Sequence, residues 1–166
     1  MKLCNSLILI AFAIFSISIT AEVNHSKVIS QDVALKLSDY GFFTNLSKQI
    51  PTDGVLPYDL NSALFSDYAD KLRFVYVPAG GFAEYHPDEV FDFPTGSVLI
   101  KTFAYLNDFP ESELDPQLLE TRLLIRHDDG WKNVSYIWNK DQTDAYKSIA
   151  GKTISTQFIN EYGDMQ

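Results

Sequence analysis

Three charged residues sit inside stretches that read as β-strands, and they are the strongest chemical feature of the chain. Glu120 and Arg122 are two apart, so they project from one face of their strand, while Thr121, Leu123 and Ile125 take the other. Leu124 interrupts the charged face. Lys101 lies mid-strand among apolar neighbours. If Lys101, Glu120 and Arg122 share one surface, they form a polar pocket able to hold a carboxylate, a sugar or a partner's charged group; the plainer alternative is a cross-strand ion-pair ladder. Trp138 and Asn139 extend the candidate pocket. Tyr136 lies on the same strand face as Trp138, and Asp141, Thr143 and Asp144 follow. Aromatic rings beside amides and carboxylates bind sugars by stacking and hydrogen bonding, yet rings at strand ends also plug cores and Asn and Asp also form turns.

A third group is acidic: Asp59, Asp67 and Asp70 around Ser66, then Asp88, Glu89 and Asp92 near His86. It lacks the calcium loop of an EF-hand and has no partners placed for zinc, so it reads as a solvated loop with no metal assigned. His25, His86 and His127 are the only histidines. No Gly-x-Ser-x-Gly elbow, His-Glu-x-x-His helix motif or phosphate-cradling glycine loop is present, and no carboxylate pair stands out for glycosidase work. No catalytic residue is assigned.

The charge balance narrows the partners. With 13 Lys plus Arg against 22 Asp plus Glu, the net charge of −9 repels phosphate backbones, which disfavours nucleic acid. Hydrophobic residues make up 46% of the chain and charged residues 21%, the balance of a folded domain. Cys4, the one cysteine, excludes an internal disulfide, a four-cysteine zinc site and a Cys-x-x-Cys-His haem attachment.

The elements that must position these residues begin after a leader. Lys2, the apolar run Leu7 to Ile19 broken only by Ser16 and Ser18, and the small residues ending at Ala21 read as a secretory signal over residues 1–21. The run, about 13 residues, is short of the roughly 20 that a membrane-spanning helix needs, so no permanent span is expected. Cys4 would leave with the leader, and residues 22–166 would form one exported domain, periplasmic or extracellular.

Within that domain, Val33, Leu37 and Tyr40 have helical spacing and Gly41 stops it, predicting a short N-terminal helix after a loose start. Residues 44–62 read as a connection whose Val55, Leu56, Tyr58 and Leu60 lie on the core. Strands are predicted over Leu72–Val77, Ser97–Tyr105, Leu119–Ile125, Trp131–Trp138 and around Thr153–Ile159, with a short strand or bend at Val90–Phe93. Residues 107–117 read as an exposed acidic loop, and Asp129-Gly130 marks a hairpin tip. The whole is mainly β: an antiparallel β-sandwich or barrel-like domain with a short N-terminal helix.

Four strings in order carry more than composition: Leu37-Ser-Asp-Tyr-Gly-Phe-Phe43; Val55-Leu-Pro-Tyr-Asp-Leu-Asn-Ser-Ala-Leu-Phe-Ser-Asp-Tyr-Ala-Asp-Lys71; Phe91-Asp-Phe-Pro-Thr-Gly-Ser-Val-Leu-Ile-Lys-Thr-Phe-Ala-Tyr105; and Glu120-Thr-Arg-Leu-Leu-Ile-Arg126, followed by Asp129-Gly-Trp131 and Tyr136-Ile-Trp-Asn139. Together they resemble the N-terminal region of exported bacterial di-haem c-type cytochromes, a family also described as conserved proteins of unknown function. The resemblance implies a C-terminal continuation in which Cys-x-x-Cys-His holds haem c. This chain has no such motif, so no cofactor is expected in it, and the chain is either the front of a longer product or the family domain alone. The resemblance implies a non-catalytic recognition or scaffold domain, with electron transfer residing in a haem-bearing domain or cytochrome partner. A carbohydrate-binding or sugar-acting module built on Trp138, Asn139, Lys101 and Glu120 is the alternative.

Overall fold

The computed structural model describes residues 22–62, 65–66, 68–106, 116–150, 153–160 and 162–166. The expected leader, most of the expected acidic loop and Asp67 lie outside the described residues. The fold is mainly β and antiparallel. Strands β1 (Phe43–Asn45) and β2 (Ile50–Pro51) form a small ribbon. Strands β3 (Val55–Pro57), β4 (Asp70–Tyr76), β5 (Val98–Tyr105), β6 (Gln117–His127), β7 (Gly130–Trp138) and β8 (Ala145–Ser148) form a six-stranded sheet in sequence order. The six-stranded sheet is open, with β3 and β8 at its edges, and together with the ribbon it fits the expected sandwich-like domain.

Period-two alternation builds this sheet. In β5, Val98, Ile100, Thr102 and Ala104 are buried while Leu99, Lys101, Phe103 and Tyr105 are half-buried on the opposite side. The inner face continues through Phe74 and Tyr76 on β4, Leu123 and Ile125 on β6, and Val134, Tyr136 and Trp138 on β7. A register break opposite Phe103 and Ala104 lets both Leu118 and Thr121, three apart, turn inward. The β6–β7 hairpin pairs His127 with Gly130 around Asp128 and Asp129, and only Gly130 of these has positive φ, at 129°. The turn glycine therefore follows the tip instead of forming its second corner.

The N-terminal segment covers the inner face. Asn24 caps a four-residue helix, α1 (His25–Val28), its Oδ1 accepting from Lys27 N. A 3₁₀ turn at Leu37–Tyr40 ends at Gly41, which has φ 69°. A Cβ at Gly41 would stand 2.7 Å from the Glu22 carbonyl oxygen, so both the backbone and the space there require glycine. Val28, Leu37, Tyr40 and Phe42 are buried against the sheet, and Phe43 meets the Phe74 ring edge-on at 5.0 Å. The segment is also held polarly: the Asp144 carboxylate accepts from Ser38 N at 3.2 Å and from Ser38 Oγ at 2.6 Å. Lys147 N donates to Leu35 O, which partners the β8 edge.

Four expectations need correction. The short helix is a 3₁₀ turn, preceded by α1 in a stretch read as loose. Of the four apolar residues assigned to the core between 44 and 62, Val55 is buried, whereas Leu56, Tyr58 and Leu60 are exposed. The last strand is β8 at Ala145–Ser148; residues 153–158 have no regular structure and Ile159 makes an isolated bridge with Met165. Val90–Phe93 contributes only the bridge of Asp92 to Glu84. Among the described residues, no helix is long and apolar enough to cross a membrane.

Candidate functional site

The outer face of the sheet is organised in cross-strand rows. Leu56, Val75, Leu99, Leu124 and Asn133 are successive partners across β3 to β7. The next row is Arg73, Lys101, Arg122 and Ser135. The third is Lys71, Phe103, Glu120 and Ile137. Lys101, Glu120 and Arg122 thus share one surface. Two cations missing from the sequence-based set, Lys71 and Arg73, join them. Their parity on β4, opposite to buried Phe74 and Tyr76, is the signal that marks them.

Each charge in this cluster has a different degree of compensation. Glu120 grips Arg122 bidentately, with Oε1 accepting from Nε and Oε2 from Nη2, both at 2.9 Å. Arg73 is buried and donates through Nη1 to exposed Asp59 at 3.3 Å and to the Lys71 carbonyl at 3.0 Å. The Lys101 ammonium has no hydrogen bond or ion pair among the described residues. It lies 5.1 Å from the centre of the Phe103 ring, which the Arg122 guanidinium also approaches, at 4.9 Å.

The pKa directions follow from this arrangement. Burial, then the charges of Arg122, Arg73 and Lys71, hold the Lys101 ammonium below the ordinary lysine range, against the pull of Glu120. Burial alone would raise Glu120; hydrogen bonds from Arg122 and Ser135 and the charges of Arg122 and Lys101 outweigh it and hold the carboxyl below its usual range.

A lysine whose folded pKa is depressed favours the neutral form on folding, so its charge costs stability below that pKa and the cost is relieved as pH rises through it. Lys101→Met is accordingly expected to raise stability at neutral pH by about 0.5–1 kcal/mol, or roughly 2–3 °C in melting temperature. Thermal melts followed by circular dichroism check this, and the gap between the two proteins should close toward alkaline pH. A lower melting temperature for the variant would instead make Lys101 a structural residue.

Trp138 and Asn139 lie elsewhere. Trp138 is 5% exposed on the inner face, and its Nε1 donates to Thr121 Oγ1 at 3.0 Å. Asn139 is consumed by a turn: Oδ1 accepts from Thr143 N at 2.9 Å and Nδ2 donates to Thr143 Oγ1 at 2.8 Å. A depression of ≈ 900 Å³ passes both residues, but the core encloses the indole faces, so no stacking platform for a sugar forms there. The five-residue pocket therefore divides into a surface triad and a structural pair. In the acidic group, Asp59 serves Arg73, Asp70 Oδ2 accepts from Leu106 N, and His86 Nδ1 accepts from Asp88 N. Among the described residues, no three His, Cys, Asp or Glu side chains converge as a metal site would require. Thioether attachment of haem likewise finds no cysteine in residues 22–166.

A shallow hollow of ≈ 220 Å³ opens on the charged face between Tyr58 and the Lys101–Arg122 pair, with Leu99, Leu124 and Asn133 alongside. The arrangement is suited to holding an anion against an apolar floor. Comparisons of the chain with protein-family models, with curated proteins and with solved structures give no match.

Proposed function

We propose that the chain is an exported, non-catalytic recognition domain that docks a negatively charged partner on the outer face of its six-stranded sheet. One observation carries the reading: in a protein of net charge −9, Lys71, Arg73, Lys101 and Arg122 are gathered on three adjacent strands. Like charges directly opposite one another weaken a sheet, so Lys101, set between Arg73 and Arg122 and without an ion pair among the described residues, is a local cost that a docking role explains. The rows of Leu99 and Phe103 on either side supply apolar area, and the cationic row supplies orientation and steering. On the resemblance in sequence, that partner would be a haem-bearing domain or cytochrome, where electron transfer would reside.

A photo-crosslinking residue at Leu124, on the docking face, tests this in cells that produce the chain, with exposed Leu35 in the N-terminal segment as the control position. The expected result is an adduct specific to Leu124 that Lys101→Glu abolishes and that stains for covalent haem. Adducts equally abundant from Leu35, or indifferent to Lys101→Glu, would overturn the docking reading. A Lys101-dependent adduct without haem would remove the cytochrome partner and keep the docking face.

A further inference from the structure

We infer that the hollow beside β5 and β6 is a receptor for a carboxylate carried next to an apolar group, supplied by an acidic segment of a partner protein. This rests on the docking role proposed above and names its anchor. The hollow is bounded by Tyr58, Leu99, Lys101, Arg122, Leu124 and Asn133, and its volume of ≈ 220 Å³ suits one side chain and its acid instead of a whole folded element.

The register determines how the two chemistries are laid out. Leu99 and Leu124 are direct partners in one row, and Lys101 and Arg122 are direct partners in the next. Rows two residues apart along a strand are separated by about 7 Å. That is the span between an acidic side chain's carboxylate and a neighbouring residue's methyl groups. The two cations, on adjacent strands, stand about 5 Å apart at their Cβ atoms, and both charged groups lie beside the Phe103 ring, at 5.1 and 4.9 Å from its centre, where one carboxylate can serve both.

The donors also keep hydrogen-bonding capacity. Glu120 fixes Arg122 through Nε and Nη2, and Nη1 makes no hydrogen bond among the described residues. The Lys101 ammonium keeps all three of its donors. Glu120 is thus a positioning residue: it orients the guanidinium without neutralising Lys101. A bare inorganic anion would leave Leu99 and Leu124 uncovered, and an uncharged apolar group would leave the Lys101 ammonium beneath it without a counter-charge. The matching ligand carries both features.

Nuclear magnetic resonance titration of the ¹⁵N-labelled protein tests the site with three probes: acetyl-Leu-Glu-Leu-amide, the same tripeptide with Gln in place of Glu, and hexanoate. The expected result is a saturable shift confined to residues 99–101, 122–124 and 133 with the glutamate peptide. The glutamine peptide should bind at least tenfold more weakly, as should the glutamate peptide to Lys101→Met. Glu120→Gln, checked for an unchanged melting profile, should weaken binding by a smaller factor, because Arg122 keeps its charge and loses its orientation.

Absence of a saturable shift with the glutamate peptide overturns the inference, as does equal affinity for the glutamine peptide. Hexanoate binding tenfold more tightly than the glutamate peptide overturns the protein source and assigns the site to a free acid. If the peptide fails while the Leu124 adduct still depends on Lys101, this inference falls and the docking reading stands; the reverse pattern removes docking and keeps the acid site.

Discussion

Trp138→Ala is expected to lower the unfolding free energy by about 3–5 kcal/mol. The indole is 5% exposed on the inner face of β7 and belongs to the same core as Tyr136 and Leu123. Alanine would leave a cavity that the neighbouring strands cannot fill, since their register is fixed on both sides of β7. Urea unfolding followed by circular dichroism measures the change, and a loss below about 1 kcal/mol would show that the ring is peripheral. Any effect of this variant on partner binding would follow from unfolding, so binding tests belong on the outer face.

Thr102→Val is expected to cost about 2–4 kcal/mol, despite replacing a side chain by one of the same shape. Thr102, Thr121, Gln49 and Trp138 form a buried chain whose direction is dictated by its two ends. The indole N–H can only donate, so Thr121 Oγ1 accepts it at 3.0 Å, and because Thr102 gives its one proton to Gln49 Oε1, Thr121 donates to Thr102 Oγ1 at 2.8 Å. Thr102 then donates to Gln49 Oε1 at 2.7 Å, and Gln49 Nε2 donates to the Leu46 carbonyl at 2.8 Å.

Valine at 102 strands two groups, the Gln49 oxygen and the Thr121 hydroxyl proton. Valine at 121 strands only the Trp138 N–H, because Thr102 still reaches Gln49. Thr121→Val should therefore cost less, about 1–3 kcal/mol. Denaturant titration of the two variants and their double mutant reads the order directly, and the opposite order would mean that the chain of donors runs otherwise. The same network explains how Gln49, at φ 51°, is held in a left-handed backbone conformation on the core.

The sequence makes β4 to β7 legible because each alternates over seven or more residues and is bounded by turn formers. It does not disclose β8, whose Ala145-Tyr-Lys-Ser148 is too short to alternate and is defined by pairing with β7 and by Leu35. Helix α1 escapes for a similar reason: four residues have no periodicity, and the Asn24 cap specifies them.

At the site, parity within β6 correctly sets Glu120 and Arg122 apart from Thr121 and Leu123. Parity within one strand does not say which face of the next strand it matches. Glu120 pairs with Ile137, so Trp138, one residue on, points to the other side. Arg73 and Lys71 required the same registration of β4 against β5 before they could be grouped with Lys101.

The clasp between Ser38 and Asp144 joins residues 106 positions apart. A chain synthesised from its N-terminus makes the covering segment before any strand of the sheet and about 100 residues before its partner in β8. Until residues near 145 are available, Leu37, Tyr40 and Phe42 lack the complete surface that buries them. Contacts of such separation slow folding and make it depend on the full length of the sheet. The covering segment is therefore enclosed only once β8 is in place, although it precedes every strand of the sheet.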